Sequence, residues 1–135
     1  MARTTTLNGF ARARAAHAKE TAEDYLEMVE ELREEQGEAR AVDLARAMEV
    51  SHTTATKVLA RLEREGLVTS RPYRGVVPTE AGRKIAEESR ERHEVVVAFL
   101  KRLGVPDAEA EADAEGIEHH VGQATLLAIR RFLTG

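Results

Sequence analysis

The side chains best equipped for chemistry in this chain are carboxylates and imidazoles at helical spacing. Asp24 and Glu27 stand three residues apart; Glu115, Glu118 and His119 stand at i, i+3 and i+4. On a helix, each set projects from one face. His93 lies between them in sequence. Four carboxylates gathered without a counter-ion repel one another and are driven to take up protons. Two divalent cations would neutralise them one for one. Oxygen-rich ligation with some imidazole suits manganese or ferrous iron better than a thiolate-seeking metal. His120, about 100° round the helix from His119, takes a structural or supporting place instead. Acidic pairs at this spacing also occur on solvated faces, and the chain has 24 acidic residues. Convergence in space therefore decides between a metal centre and a charged surface.

A second constellation lies in the middle of the chain. Ser51 is a good N-cap for a helix running to about Glu65, whose inward face is Ala55, Val58, Leu59 and Leu62. Its outward face is then His52, Thr53, Thr54, Thr56, Lys57 and Arg61. Short hydroxyl side chains suit close approach to base edges or thymine methyls, and Lys57 and Arg61 suit phosphate or guanine. Arg71 and Arg74 sit at the tip of a strand-turn-strand pattern, where a wing would touch the backbone or minor groove of DNA. Arg40 precedes the first helix of the motif and fits a phosphate clamp, which positions a protein without reading sequence.

The elements that must position these groups follow from periodicity. Ala22, Tyr25, Leu26, Val29 and Leu32 mark an amphipathic helix from about Lys19 to Gln36, closed by Gly37. A short helix spans about Ala41 to Met48, and Glu49-Val50 makes a tight turn before Ser51. Residues 67–77 read as a β-hairpin with a basic tip. Thr79-Glu80 opens a long helix reaching about Leu103, which Gly104-Val105-Pro106 breaks. Asp107 caps another helix through about His120. The last, from about Gln123 to Leu133, is apolar enough to predict burial against another subunit. The first fifteen or so residues show little periodicity and read as a flexible arm. The predicted fold class is mostly α: a winged helix-turn-helix with a small β-hairpin wing, then an all-helical dimerisation domain. The predicted domains are an arm over 1–16, a DNA-binding domain over 17–80, and a dimerisation and metal-binding domain over 81–135.

Composition narrows the function classes. The 135 residues hold no cysteine, which excludes disulfides, thiolate zinc sites and thiol catalysis within the chain. No apolar run approaches the roughly 20 residues of a membrane span, and the start lacks a signal-peptide core, so a cytoplasmic protein is expected. The net charge of −4 hides a pattern. Residues 1–39 carry 5 basic and 9 acidic side chains, residues 40–84 carry 9 and 5, and residues 85–135 carry 6 and 10. A basic middle between acidic flanks is the electrostatic footprint of a nucleic-acid binder. There is no His-Glu-x-x-His run, no Gly-rich phosphate loop and no pair of Glu-x-x-His runs of the helical di-metal enzymes. An enzyme is therefore not expected. A winged-helix regulator whose acidic clusters are only surface stays open at this point.

The segments Glu23-Asp24-Tyr25-Leu26-Glu27, Thr56-Lys57-Val58-Leu59-Ala60-Arg61-Leu62, Tyr73-Arg74-Gly75, Glu91-Arg92-His93-Glu94 and Ala114-Glu115-Gly116-Ile117-Glu118-His119-His120 carry a resemblance. The chain resembles the manganese transport regulators of the diphtheria-toxin-repressor family over roughly residues 15–125. The resemblance implies a homodimer on double-stranded operator DNA, with two winged-helix domains and a binuclear site in each subunit. Asp24, Glu27, His93, Glu115, Glu118 and His119 fall on the family's ligand positions. In iron-type relatives a methionine and a cysteine replace the first aspartate and first glutamate; here these are Asp24 and Glu115, which implies Mn2+, with Fe2+ as the alternative ion. The lack of an SH3-like extension points the same way. The expected function is manganese-dependent repression of manganese-uptake genes, the metal fixing two reading heads at a spacing of about 34–36 Å. An iron-responsive repressor and a metal-independent winged-helix regulator are the alternatives.

Overall fold

The computed structural model describes the backbone of residues 2–135 and the side chains of residues 9–135. Its elements run α1 (Ala2–Gln36), α2 (Ala41–Ala47), α3 (His52–Arg64), β1 (Val68–Arg71), β2 (Gly75–Pro78), α4 (Glu80–Arg102), α5 (Asp107–Ile117) and α6 (Gln123–Thr134). The fold is mostly α, with a winged helix-turn-helix ahead of an all-helical part. The chain divides into two compact units, residues 20–87 and residues 1–19 with 88–135.

In the first unit, the stripe Ala22, Tyr25, Leu26 and Val29 on α1 packs with Leu44, Ala55, Leu59, Leu62, Val68 and Val76 into one core. Leu26, Val29, Leu44 and Leu62 are fully buried. Each such aliphatic side chain contributes about 1.5–3 kcal/mol on burial. Ser51 caps α3 by accepting from the Thr54 backbone N–H at 3.0 Å. The preceding turn needs Glu49 at φ +56, a conformation few non-glycine residues adopt. β1 and β2 pair antiparallel, with Val68 opposite Pro78 and Arg71 opposite Gly75. Gly75 also bridges to Ala39, whose carbonyl accepts from Val76 N–H at 2.8 Å. Gly75 has φ +73, and a Cβ there would overlap the Ala39 carbonyl oxygen. Only glycine lets the hairpin seat against the start of α2. Thr79 starts α4, its hydroxyl donating to Gly66 O at 2.7 Å and accepting from Gly82 N–H.

In the second unit, Val96 and Val97 of α4 pack with Ala110 and Ala114 of α5, bordered by Leu100, Val105 and Val121. Phe99 meets Phe132 of α6 edge-on at 5.5 Å, and the Arg102 guanidinium lies 5.5 Å from the Phe132 ring centre. Leu127 and Phe132 stay about half exposed, while Leu126 and Ile129 turn inward.

Two expectations are corrected. The segment read as an arm is helical from Ala2 and continuous with α1; Met1 lies outside the described residues. A run such as Ala11-Arg12-Ala13-Arg14-Ala15-Ala16 lacks an apolar stripe but has high intrinsic helix propensity. Missing periodicity argued against packing, not against helix. The helix expected through His120 stops at Ile117, and Glu118 caps it through a backbone N–H to Ala114 O. Residues 118–120 form a turn. The last turn has no basic residue to favour the carbonyl end.

Candidate metal centre and nucleic-acid interface

The second unit gathers one imidazole and two carboxylates. His93 comes from the middle of α4, Glu115 from the last turn of α5 and Glu118 from the cap just past it. One ligand-capable atom from each lies within 4.8 Å of the others. His93 Nδ1 is 2.6 Å from Glu118 Oε2 and 3.5 Å from Glu115 Oε1. His119 Nε2 adds a contact to Glu118 Oε1 at 3.3 Å. Glu118 and His119 are almost wholly buried, whereas Glu115 is 63% exposed.

The electrostatics are those of crowded acids out of water. Burial pushes the Glu118 carboxyl up to about 7; the charge of His93 pulls against this and the charge of Glu115 pushes with it. Burial disfavours a charged His93, but its hydrogen bond to Glu111 and the charges of Glu118 and Glu115 outweigh that. The imidazole is held above the usual histidine value. A buried, proton-hungry carboxylate next to a second carboxylate and an imidazole has the donor chemistry of a divalent-cation site. A cation would replace the protons that otherwise make the cluster tolerable.

Of the ligand positions read from sequence, the structure brings His93, Glu115 and Glu118 together and sets His119 against Glu118. His119 gets there through the turn after α5, not from the helical face that the spacing implied. Asp24 and Glu27 sit one turn apart on α1, both half-buried. His120 is exposed. Sequence reasoning missed Glu111, whose Oε2 is 2.8 Å from His93 Nε2. The signal was available: Glu111, Glu115 and Glu118 stand at i, i+4 and i+7.

In the first unit, α2, the turn and α3 form a helix-turn-helix with β1–β2 as its wing. His52, Thr53, Thr54, Thr56 and Lys57 are all exposed on α3, and Arg71 and Arg74 on the wing. The Thr56 hydroxyl donates to His52 O at 2.8 Å, so its oxygen is left to accept. Arg61 is half-buried and pairs with Glu65 at 3.5 Å. Arg40 pairs with Glu38 at 2.9 Å and donates to the Tyr73 carbonyl at 2.7 Å. The guanidinium braces the wing turn, where Tyr73 has φ +64, and its side chain stays half exposed.

Comparison with known proteins finds two successive family matches along the chain. Residues 17–76 match the family described as iron dependent repressor, N-terminal DNA binding domain. Residues 79–135 match iron dependent repressor, metal binding and dimerisation domain. The chain is 48% identical over 126 residues to the transcriptional regulator MntR of Escherichia coli O6:H1, covering 93% of this chain and 81% of that protein. It is 42% identical over 99 residues to the regulator MntR of Shouchella clausii, covering 73% and 69%. Among solved structures, a manganese-dependent transcriptional repressor in complex with manganese superposes with a TM-score of 0.73 at 30% identity. The manganese regulator SloR superposes with a TM-score of 0.73 at 27% identity. Each superposition covers 84% of this chain, which spans about half the length of those two solved proteins.

Proposed function

The chain belongs to the iron-dependent-repressor family, and from that premise we propose that it is a manganese-responsive transcriptional repressor. It binds double-stranded operator DNA as a homodimer and represses manganese-uptake genes when Mn2+ is bound. The observation that carries the reading is the meeting of His93, Glu115 and Glu118 in a chain that also folds as a winged helix-turn-helix.

His93, Glu115 and Glu118 would hold one ion, and Asp24, Glu27 and His119 are the further ligands of the proposed pair of ions. Bound manganese supplies positive charge that offsets the clustered carboxylates. Around it, the chain's own residues do the work. Glu118, shielded from water, offers a carboxylate whose charge is strongly felt. His93 turns Nδ1 toward the two glutamates. Asp24 and Glu27 ride on the helix that places Tyr25, Leu26 and Val29 in the core of the reading unit, so an ion held there acts on the element that supports α3. On the reading side, Thr53, Thr54 and Thr56 face base edges, Lys57 faces phosphate, and Arg71 and Arg74 carry the wing to the backbone or minor groove. All donors are oxygen or nitrogen, and the chain has no cysteine, which favours manganese over a softer metal. Ferrous iron shares the oxygen and imidazole preference and is the second ion to test.

The test is fluorescence anisotropy of a labelled promoter duplex from a manganese-uptake gene, at one salt concentration. Titrations run separately with manganese, ferrous iron and zinc, and with chelator. Manganese-dependent binding is expected; equal binding in chelator would leave a metal-independent winged-helix regulator. A response to iron at lower concentration than to manganese would reassign the sensor.

A further inference from the structure

His93 has its two ring nitrogens committed to different partners. Nδ1 faces Glu118 at 2.6 Å and Glu115 at 3.5 Å, the two carboxylates of the candidate centre. Nε2 faces the other way, toward Glu111 Oε2 at 2.8 Å. The ring itself is confined: its side chain is 18% exposed, and Arg92 beside it donates to the Glu118 carbonyl at 3.2 Å. Glu111 lies one turn before Glu115 on α5. Its side chain is 57% exposed and does not belong to the His93–Glu115–Glu118 cluster.

A neutral imidazole carries one N–H, and the nitrogen without it is the one that can bind a metal. A carboxylate hydrogen-bonded to the far nitrogen fixes which is which, holds the ring plane and makes the near nitrogen a better donor. We propose that Glu111 is a positioning residue for the metal centre. It accepts from His93 Nε2–H and so leaves the Nδ1 lone pair to the ion held with Glu115 and Glu118. Resting on the metal-sensor reading, this adds a seventh residue to the centre, one that never touches the ion.

The proposal separates Glu111's role as a hydrogen-bond acceptor from its charge. Glu111→Gln keeps an acceptor oxygen and removes the charge; Glu111→Ala removes both. Manganese binding is followed by loss of the free-ion electron paramagnetic resonance signal in the full-length protein. Glu111→Ala is expected to bind about tenfold more weakly, and Glu111→Gln within about threefold of the unmodified chain. Long-range 1H–15N spectra of protein loaded with diamagnetic cadmium read the tautomer directly. The unmodified chain should show His93 with Nε2–H in a strong hydrogen bond, and Glu111→Ala should lose that signature. Equal affinities and spectra in all three proteins would overturn the proposal. So would a fall in Glu111→Gln as large as in Glu111→Ala, which would make the effect one of charge alone. If the unmodified chain itself takes up no manganese, the sensor reading fails first.

Discussion

At the scale of single residues, the centre is set by how few side chains can escape it. Glu118 is buried and Glu115 is exposed, yet both meet His93. Removing Glu115 therefore strips a ligand without opening a cavity. Glu115→Ala should weaken manganese binding by about tenfold or more, with an unchanged circular dichroism spectrum, since ligands must be intact for affinity; an unaltered manganese titration would remove it from the site. Protons compete for the same groups. The Glu118 carboxyl sits at about 7 and His93 is held above its ordinary value, and both must be deprotonated to ligate. Manganese affinity should thus rise as pH climbs through about 7 and fall away below it. Calorimetry in buffers of different ionisation enthalpy would show proton release on binding; a flat affinity between about pH 6 and pH 8 would contradict it. On the reading face, Lys57 is exposed and its partner is expected to be a phosphate. Lys57→Ala should lower the salt slope of DNA binding by about one unit, measured as log affinity against log salt, and an unchanged slope would take Lys57 off the backbone.

At the scale of elements, the wing and α3 are set by particular contacts. Gly75 lets the hairpin meet Ala39, and Arg40 ties the Tyr73 carbonyl to the start of α2. Gly75→Ala forces a side chain into a left-handed conformation and onto a carbonyl, a strain of about 1–3 kcal/mol. The melting temperature should fall, and DNA affinity should fall further than the loss of stability accounts for, because the wing is displaced. Unchanged values for both would mean the wing seats some other way. The same contacts explain what was legible in advance. The apolar stripe of α1, the Ser51 cap and the hairpin with its basic tip are local patterns, and they appear where the spacing placed them. The bond from Arg40 to the Tyr73 carbonyl was not legible, because it is set by packing that sequence spacing does not encode. Glu111 was missed for the opposite reason. Its i, i+4, i+7 relation to Glu115 and Glu118 was visible, but only the arrival of His93 from α4 gives it a role. The turn after Ile117 likewise moved His119 off the helical face on which spacing had placed it.

At the scale of the whole molecule, charge and exposure agree with a DNA-binding dimer. The basic excess falls in residues 40–84, the stretch that holds α2, α3 and the wing, while the acidic excess accompanies the ligand helices. Exposed Leu127 and Phe132 on α6 lie in the segment matching a metal binding and dimerisation domain. Metal and DNA then act on one equilibrium. If manganese favours the DNA-competent state, DNA must favour the manganese-bound state by the same factor. The most direct measurement is the manganese affinity of the full chain with and without saturating operator duplex, at fixed pH and salt. The affinity should tighten about 5–150-fold with operator present, matching the gain in operator affinity caused by manganese. Identical manganese affinities in the two conditions would show that the ion and the DNA do not communicate, and would contradict the sensor account.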